Sequence, residues 1–335
     1  MSSNVRYIFE NKMVRDRWLG YFGRLIIVGF AMLFAFFPIV WIASASVNEV
    51  GTLNTQQLVP KKFGPENYNE LLDAEVKLAD YLQTDFECPL PNVRRCADEI
   101  ADAWSAYGRF RNESINPFVM WMWNSVKLAA ITSILSVTIS AMGAYAFSRF
   151  RFRGRRNLML TVFLVQVFPN SLTIVATFLL VQAIGKQVPE FGVNRHGGVI
   201  LVYLGGALGI NTWLMKGFFD SIPRDLDESA RIDGASDWFI FWRIIFPLVR
   251  PILAVVGILT FIGVYGDVII SLTLLKDKNV QTLAVGLNRF IRDAYEREWG
   301  AFSAGALIGA IPIVILILSF QRFFVGGLTE GSVKG

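Results

Sequence analysis

The chain has 335 residues, 53% of them hydrophobic and 18% charged, with 28 Phe, 9 Trp and a formal net charge of +5. Soluble domains carry about 25% charged residues, whereas here the apolar residues gather in uncharged runs of the ~20 residues that cross a bilayer as a helix. This excludes a soluble enzyme, a disordered chain and a small disulfide-stapled secreted module. The chain reads as a polytopic, all-α membrane protein.

Six spans are predicted in chain order. The first, 25–45, has no charge, and its apolar stretch is too long for a cleavable signal core. The second, 128–148, is entered past Lys127. The third lies within 157–185, which is uncharged and long enough to tilt. The fourth is 197–215. The fifth, about 251–275, contains one charge, Asp267, and the sixth is 299–321. Hydrocarbon cannot satisfy backbone N–H and C=O groups, so each run must be a helix. The runs are too long and too uniformly apolar for barrel strands.

Six spans put both termini on one side, and basic residues say which. The two termini and the loops after spans two and four hold 17 Lys and Arg against 9 acids; the rest of the chain holds 15 against 18. The sharpest signal is the run Arg149, Arg151, Arg153, Arg155, Arg156, which has no acid among its residues. The positive-inside rule places that loop and both termini in the cytoplasm. The run reads as an orientation anchor, not as a nucleic-acid site.

The predicted organisation is a cytoplasmic N-terminal segment (1–24), a first helix (25–46), an external loop (47–117), a five-helix core (118–325) and a cytoplasmic tail (326–335). The external loop is acidic and carries both cysteines, Cys88 and Cys96. An extracytoplasmic location permits a disulfide between them. The loop is long enough for a small helical subdomain, the other reading being a poorly ordered insertion.

Several chemistries find no motif. No GxxxxGK[ST] cradles a nucleotide, no GxSxG elbow presents a nucleophile, and one histidine with two external cysteines leaves little for a metal. His196 reads as a solvated turn residue between spans three and four. Ionisable residues inside membranes are usually functional, and Asp267 is the only one in the spans. Gln166, Asn170 and Gln182 either line a wet path suited to a neutral, hydroxyl-rich solute or make ordinary interhelical hydrogen bonds. The small residues of spans two and four read as close packing.

The most informative loop is the cytoplasmic stretch from Asp220 to Pro247. Ser221 is expected to cap a short helix with Pro223 in its first turn and Asp225, Asp227 and Glu228 near its positive end. Leu226 and Ala230 share a face. Gly234 stands where a helix ends on a left-handed residue. Ser236 is expected to cap a second helix over 237–246, rich in Trp and Phe and able to lie in the membrane interface. The result is a helix–turn–helix knob suited to a partner's groove, or an interfacial segment without a partner.

In this loop the residues match a known pattern. Glu228-Ser229-Ala230, three residues, Gly234, nine residues, Ile244, one residue, then Phe246-Pro247 resembles the EAA loop of bacterial binding-protein-dependent ABC importers. Ser229 and Phe246 depart from it. Asp233-Gly234-Ala235 is similar to the sugar-importer branch. The tail, Gly326 to Gly335, and the pair Asn124-Ser125 resemble MalG-type permease subunits of maltose/maltodextrin importers.

The resemblance implies a type I ABC importer permease fold with an extended external loop, in the bacterial cytoplasmic (inner) membrane. It implies a permease forming half of a sugar pathway, without its own ATPase. Its expected partners are a MalF-like permease, two copies of a cytoplasmic ABC ATPase that binds ATP and Mg, an extracytoplasmic sugar-binding protein, sugar and lipid. Glu228, Ser229, Ala230, Asp233, Gly234, Ala235, Ile244 and Pro247 would couple to the ATPase, with Glu228, Ala230 and Gly234 seated in its cleft. Gly331, Ser332, Val333, Lys334 and Gly335 would also contact it. The 276–298 loop would reach toward the binding protein. Other ABC cargoes, such as trehalose or glycerol phosphate, share the EAA pattern. An ion-coupled transporter would bury more charge than this chain does.

Overall fold

The computed structural model describes residues 3–48, 62–84, 93–113, 116–167, 170–292 and 298–330. Among them the regular structure is helical, with one isolated bridge between Asn48 and Phe63. The first described helix is α1 (Ser3–Ser46), whose apolar window shows no buried residues; it leans on the last helix, α15 (Trp299–Glu330). Then come α2 (Glu66–Leu71), α3 (Asp73–Thr84) and α4 (Val93–Glu113), all in the acidic stretch expected to be external.

Helix α2 is hooked between the two ends of the chain. The Asn67 amide donates to the carbonyls of Ser46 and Asn48, both at 3.0 Å, and the Tyr68 hydroxyl donates to Ser46 Oγ at 2.9 Å. Leu71 is fully buried against the bundle. Helices α3 and α4 pair with each other through the Tyr107 hydroxyl on Glu75 (2.9 Å) and the edge-on rings of Tyr81 and Phe110. Cys96, on α4, is disulfide-bonded, and Cys88 lies outside the described residues.

On the same face Glu70 shares a hydrogen bond with Glu298, just before α15. Burial, then the neighbouring charge, pushes the Glu70 carboxyl up to about 7. An acid whose folded value is raised binds its proton more tightly when folded. Its contribution is therefore complete below the ordinary carboxylate value and is lost as pH rises through about 7. Amide exchange of α2, corrected for intrinsic rate, is expected to quicken as pH rises from the ordinary carboxylate value to about 7 and to level off above it, and Glu70→Gln should remove the difference. Equal behaviour of the two proteins would refute this.

The core helices are α5 (Phe118–Arg149), α6 (Arg155–Val167), α7 (Asn170–Gln187) and α8 (His196–Ser221), then α9 (Asp225–Ile232), α10 (Asp237–Phe239) and α11 (Phe246–Leu248). Helices α12 (Arg250–Tyr265), α13 (Ile269–Leu274) and α14 (Leu283–Arg292) precede α15. The centre is α5, which packs on α8 and α12. Small and hydroxylic residues on its inner face (Ala129, Thr132, Ser136, Ser140, Ala141, Ala144) are buried, and they let the helices approach closely.

Among the described residues four helices are long and apolar enough to cross a membrane, and five if the bent pair 237–248 and 250–265 counts as one. Expected spans one, two, four and six are these four helices. Expected span five is divided instead, at 266–268 between α12 and α13, and expected span three falls on α6 and α7, with 168–169 outside the described residues. Counting charges finds apolar runs but cannot see a backbone break inside one. Asp267 lies at the break in span five, where its Oδ1 accepts the N–H groups of Ile270 (2.9 Å) and Ser271 (3.4 Å) that open α13.

At the end of the bundle that carries the acidic stretch, the 276–283 loop is strapped down from three sides. Trp121 Nε1 donates to Lys278 O at 2.8 Å. The Asn124 amide donates to Asn279 O and Gln281 O, both at 3.0 Å, and Ser125 Oγ accepts the Leu283 N–H at 2.8 Å. The Asn124-Ser125 pair thus holds the loop. Asn194 Oδ1 accepts two more N–H groups, from Lys276 and Asp277. The His196 ring shares a hydrogen bond with Val280 O at 2.8 Å, so His196 is a half-buried loop anchor and not a solvated turn residue.

Candidate functional site

The knob after α8 is built from local rules. Pro223 forces its predecessor out of helical geometry, and Ile222 is extended at φ −80°, ψ 127°. Helix α8 therefore runs on through Ser221, whose hydroxyl donates back to Phe218 O at 2.7 Å. Ser221 does not cap α9, contrary to the sequence expectation; the N-cap is Arg224, with no side-chain cap bond. Three acids in the first turn of α9 supply the favourable charge instead.

The far end of α9 closes as expected. Gly234 has φ +84°, its N–H donates to Arg231 O (3.0 Å), and the Ala235 N–H donates to Ala230 O (2.9 Å). This paired arrangement is a Schellman cap. Across the turn, Arg231 makes two bonds to Asp237 Oδ1, at 2.8 and 3.1 Å, and that contact raises the guanidinium's affinity for its proton. Ser236 Oγ accepts the Phe239 N–H at 3.3 Å, the predicted second cap.

The second helix is less regular than expected. Only Asp237–Phe239 is α-helical, and Ile240–Ile245 forms a π-helical turn before α11. Nor is it an interfacial segment throughout. Ile240, Phe241 and Ile245 are buried against Ala141, Ala144, Tyr145, Met215 and Phe219, with the rings of Phe241 and Tyr145 5.2 Å apart. Trp238 and Phe239 remain exposed.

What fixes the knob to the bundle is a charge pair inside the protein. Arg149 Nε, in the last turn of α5, lies 2.5 Å from Asp227 Oδ2 of α9, with both side chains 3% exposed. Arg149 Nη2 also donates to Ile222 O at 3.1 Å, and Arg224 donates to Ser148 O at 3.1 Å. The Ser148 hydroxyl donates to Asp220 at 2.7 Å, and Lys216 pairs with the same carboxylate. Burial pushes the Asp227 carboxyl above its ordinary value against the pull of Arg149, Arg231 and Arg224, so its charge depends on those partners. Arg149, read as an orientation anchor, is a buried clamp.

The predicted coupling residues divide into two groups. Glu228, Ser229, Asp233 and Gly234 are exposed at the tip. Ala235, Ile244 and Pro247 are half-buried, and the first two pack against the cluster that seats the knob on the bundle. Ala230 is a buried member of that cluster. Its neighbour on the predicted face, Leu226, is exposed. Sequence reasoning missed Ile232, 86% exposed beside Gly234 and the most exposed large apolar side chain among those described. Its signal was an apolar residue against the Gly, where a closing helix has nothing left to cover it. Gly331 to Gly335 lie outside the described residues.

An exposed tip with an apolar residue and a carboxylate, on a base with buried bolts, can pass a displacement into the bundle. Residues 136–329 match the family described as binding-protein-dependent transport system inner membrane component. The maltose/maltodextrin transport system permease protein MalG of Vibrio vulnificus (strain YJ016) is 46% identical over 221 residues, 65% of this chain and 73% of that protein. The protein of that name from Salmonella typhimurium (strain LT2) is 38% identical over 299 residues, 89% of this chain and 90% of that one. The Escherichia coli (strain K12) protein is 36% identical over the same shares. A bacterial ABC transporter involved in the import of the acidic polysaccharide alginate is similar in fold, with TM-score 0.62 at 22% identity, covering 92% of this chain and 98% of that one.

Proposed function

Because the chain belongs to the family of binding-protein-dependent transport system inner membrane components, we propose that it is the permease subunit of an ATP-driven maltose/maltodextrin importer. It is an all-α, multi-pass inner-membrane protein forming half of the translocation pathway. The similarity to MalG proteins over 89% of the chain supports the cargo. The clamped knob supports the mechanism.

The reading implies a MalF-like permease as the other half, two ATPases that hold ATP and Mg, and an external sugar-binding protein. The chain itself then hydrolyses nothing. Both termini face the cytoplasm, as the arginine-rich 149–156 loop requires. Each permease gives one ATPase a knob, here through Glu228, Ser229, Ile232, Asp233 and Gly234. The 331–335 tail adds a second ATPase contact, and the 276–298 segment, which begins with the strapped 276–283 loop, meets the binding protein. ATPase closure draws the knobs together and switches two packings of the rigid bundle. Coupling is reciprocal, so loaded binding protein outside favours closed ATPases inside.

The test is reconstitution with those partners, reading ATP hydrolysis and uptake for binding proteins loaded with maltose, maltotriose and trehalose. Hydrolysis and uptake stimulated by the maltodextrins are expected. A cargo preference elsewhere, or uptake without ATP, defeats the reading. In the same assay Gly234→Asp is expected to leave insertion intact and to abolish the stimulation. No neighbour lies within 4 Å of a Cβ there, so only the left-handed backbone suffers, at a cost of about 1 kcal/mol, and the tip turns away. Wild-type coupling in that variant would remove the docking role.

A further inference from the structure

Orienting a loop in a membrane needs positive charge but no recess, yet the arginine loop between α5 and α6 has one. It lies where α6 starts beside the last turns of α8, with a volume of about 600 Å³. Its polar lining is Arg155, Arg156, Asn157 and Lys216, three cations with no acid among them. Phe152 and Met159 supply the apolar side. At the edge Gly154, at φ +85°, turns the chain into α6. Basic pockets of this kind, between helices at the cytoplasmic face of a membrane, hold anionic headgroups.

The donors of the recess are only partly satisfied. Of the arginines in 149–156, Arg149 is taken by the Asp227 clamp, and Arg155 reaches the Phe150 carbonyl at 3.5 Å. Asp220 pairs with Lys216 and attracts Arg155 at longer range. The Arg156 side chain has no hydrogen bond or ion pair among the described residues. Its backbone N–H and that of Asn157, both in the opening turn of α6, have no acceptor there either. One turn deeper along the same seam, Met159 leads to the rings of Phe163 and Trp213, whose centres are 5.8 Å apart. Both rings are exposed, as are Leu160 and Leu164 beside them, so the cationic end continues into an apolar strip.

We infer that this recess binds the phosphodiester of an anionic phospholipid, whose acyl chains lie along the strip of Met159, Phe163 and Trp213. The phosphate oxygens accept from the guanidinium groups of Arg155 and Arg156 and from the two free N–H groups. Lys216 is shared between the phosphate and Asp220. A soluble phosphate could use the same donors but would leave the apolar strip uncovered. A zwitterionic lipid would bring its own cation up to a recess that already carries three. In the orientation proposed above, the lipid belongs to the cytoplasmic leaflet, where anionic headgroups attract basic segments. Nothing in this depends on which cargo the permease carries.

To test this, the full chain in detergent is titrated with dioleoylphosphatidylglycerol, dioleoylphosphatidylcholine and inorganic phosphate, and bound molecules are counted by native mass spectrometry. One phosphatidylglycerol is expected to bind about tenfold or more tighter than phosphatidylcholine. Arg156→Gln should weaken that binding about tenfold, the worth of a hydrogen bond to a charged group. Arg151→Gln, in the same loop but outside the recess, should change it by less than about twofold, because salt screens an exposed charge. Phosphatidylcholine should bind all three proteins alike, which reports an intact bundle. Equal affinity for the two lipids overturns the site. So does equal weakening in the two variants, the mark of a diffuse positive field without a pocket. Displacement of phosphatidylglycerol by millimolar inorganic phosphate would make the recess a soluble-phosphate site and overturn the lipid assignment.

Discussion

Arg149→Leu is expected to uncouple this permease more completely than any change at the exposed tip. The substitution leaves the Asp227 carboxyl without its closest partner in a position that is 3% exposed, where it must either stay charged unpaired or take up a proton. Breaking a buried ion pair from one side costs about 3–5 kcal/mol. The Arg149 bond to Ile222 O, at the corner that starts the knob, is lost with it. Membrane insertion depends on the apolar spans and should persist. Binding-protein-stimulated ATP hydrolysis and sugar uptake should both collapse, and protease should cut within 220–237 sooner than in wild type. Arg149→Leu with Asp227→Leu removes both charges and should recover much of the stability, because a well-packed apolar pair replaces a buried salt bridge at little cost. A single variant that couples normally would mean the clamp is dispensable.

Gly286→Val is expected to be the most damaging change on the opposite side. A Cβ at 286 would stand 2.1 Å from Cε3 of Trp121, a fully buried ring fixed by its bond to Lys278 O. Neither the ring nor the helix can yield without releasing the 276–283 loop, and overpacking of this kind costs about 1–3 kcal/mol or more. The Arg289 guanidinium, 5.5 Å from the centre of that ring, would lose its seat as well. The expected result is an assembly with normal basal hydrolysis that loaded binding protein no longer stimulates. Asn124→Ala should give a milder version of the same loss, since it leaves the Asn279 and Gln281 carbonyls without their amide donor. Full stimulation of the Gly286 variant would show that the loop's position is irrelevant to the outer partner.

Much of the knob could be read from sequence because its rules are local. Gly234 and Ser236 are end signals acting over a few residues, and both sit where periodicity and composition put them. Ser221 misled because α8 outlasts the hydrophobic run: Lys216 and Asp220, four apart on one face, continue the helix until Pro223 stops it. The Arg149–Asp227 clamp joins residues 78 positions apart, and charge in a loop reads as solvated until something covers it. Ala230 is the opposite case, a motif residue buried in this chain, because motifs name positions and not the side they face. The break in the fifth span was visible only as Gly266 followed by Asp267, single residues that an average over twenty conceals.

The 79° corner between residues 237–248 and 250–265 turns the knob into a bell crank. One arm lies across the direction of α12 and the other is α12 itself. A sideways push on the short arm must therefore emerge as a swing of the long one. With a rise of about 1.5 Å per residue, sixteen residues make a rod of roughly 24 Å, so a swing of about 10° carries its far end some 4 Å. Two residues past that end stands Asp267. In the proposed importer, the stroke of an ATPase on the knob would reach the break in the fifth span, beside Asp267.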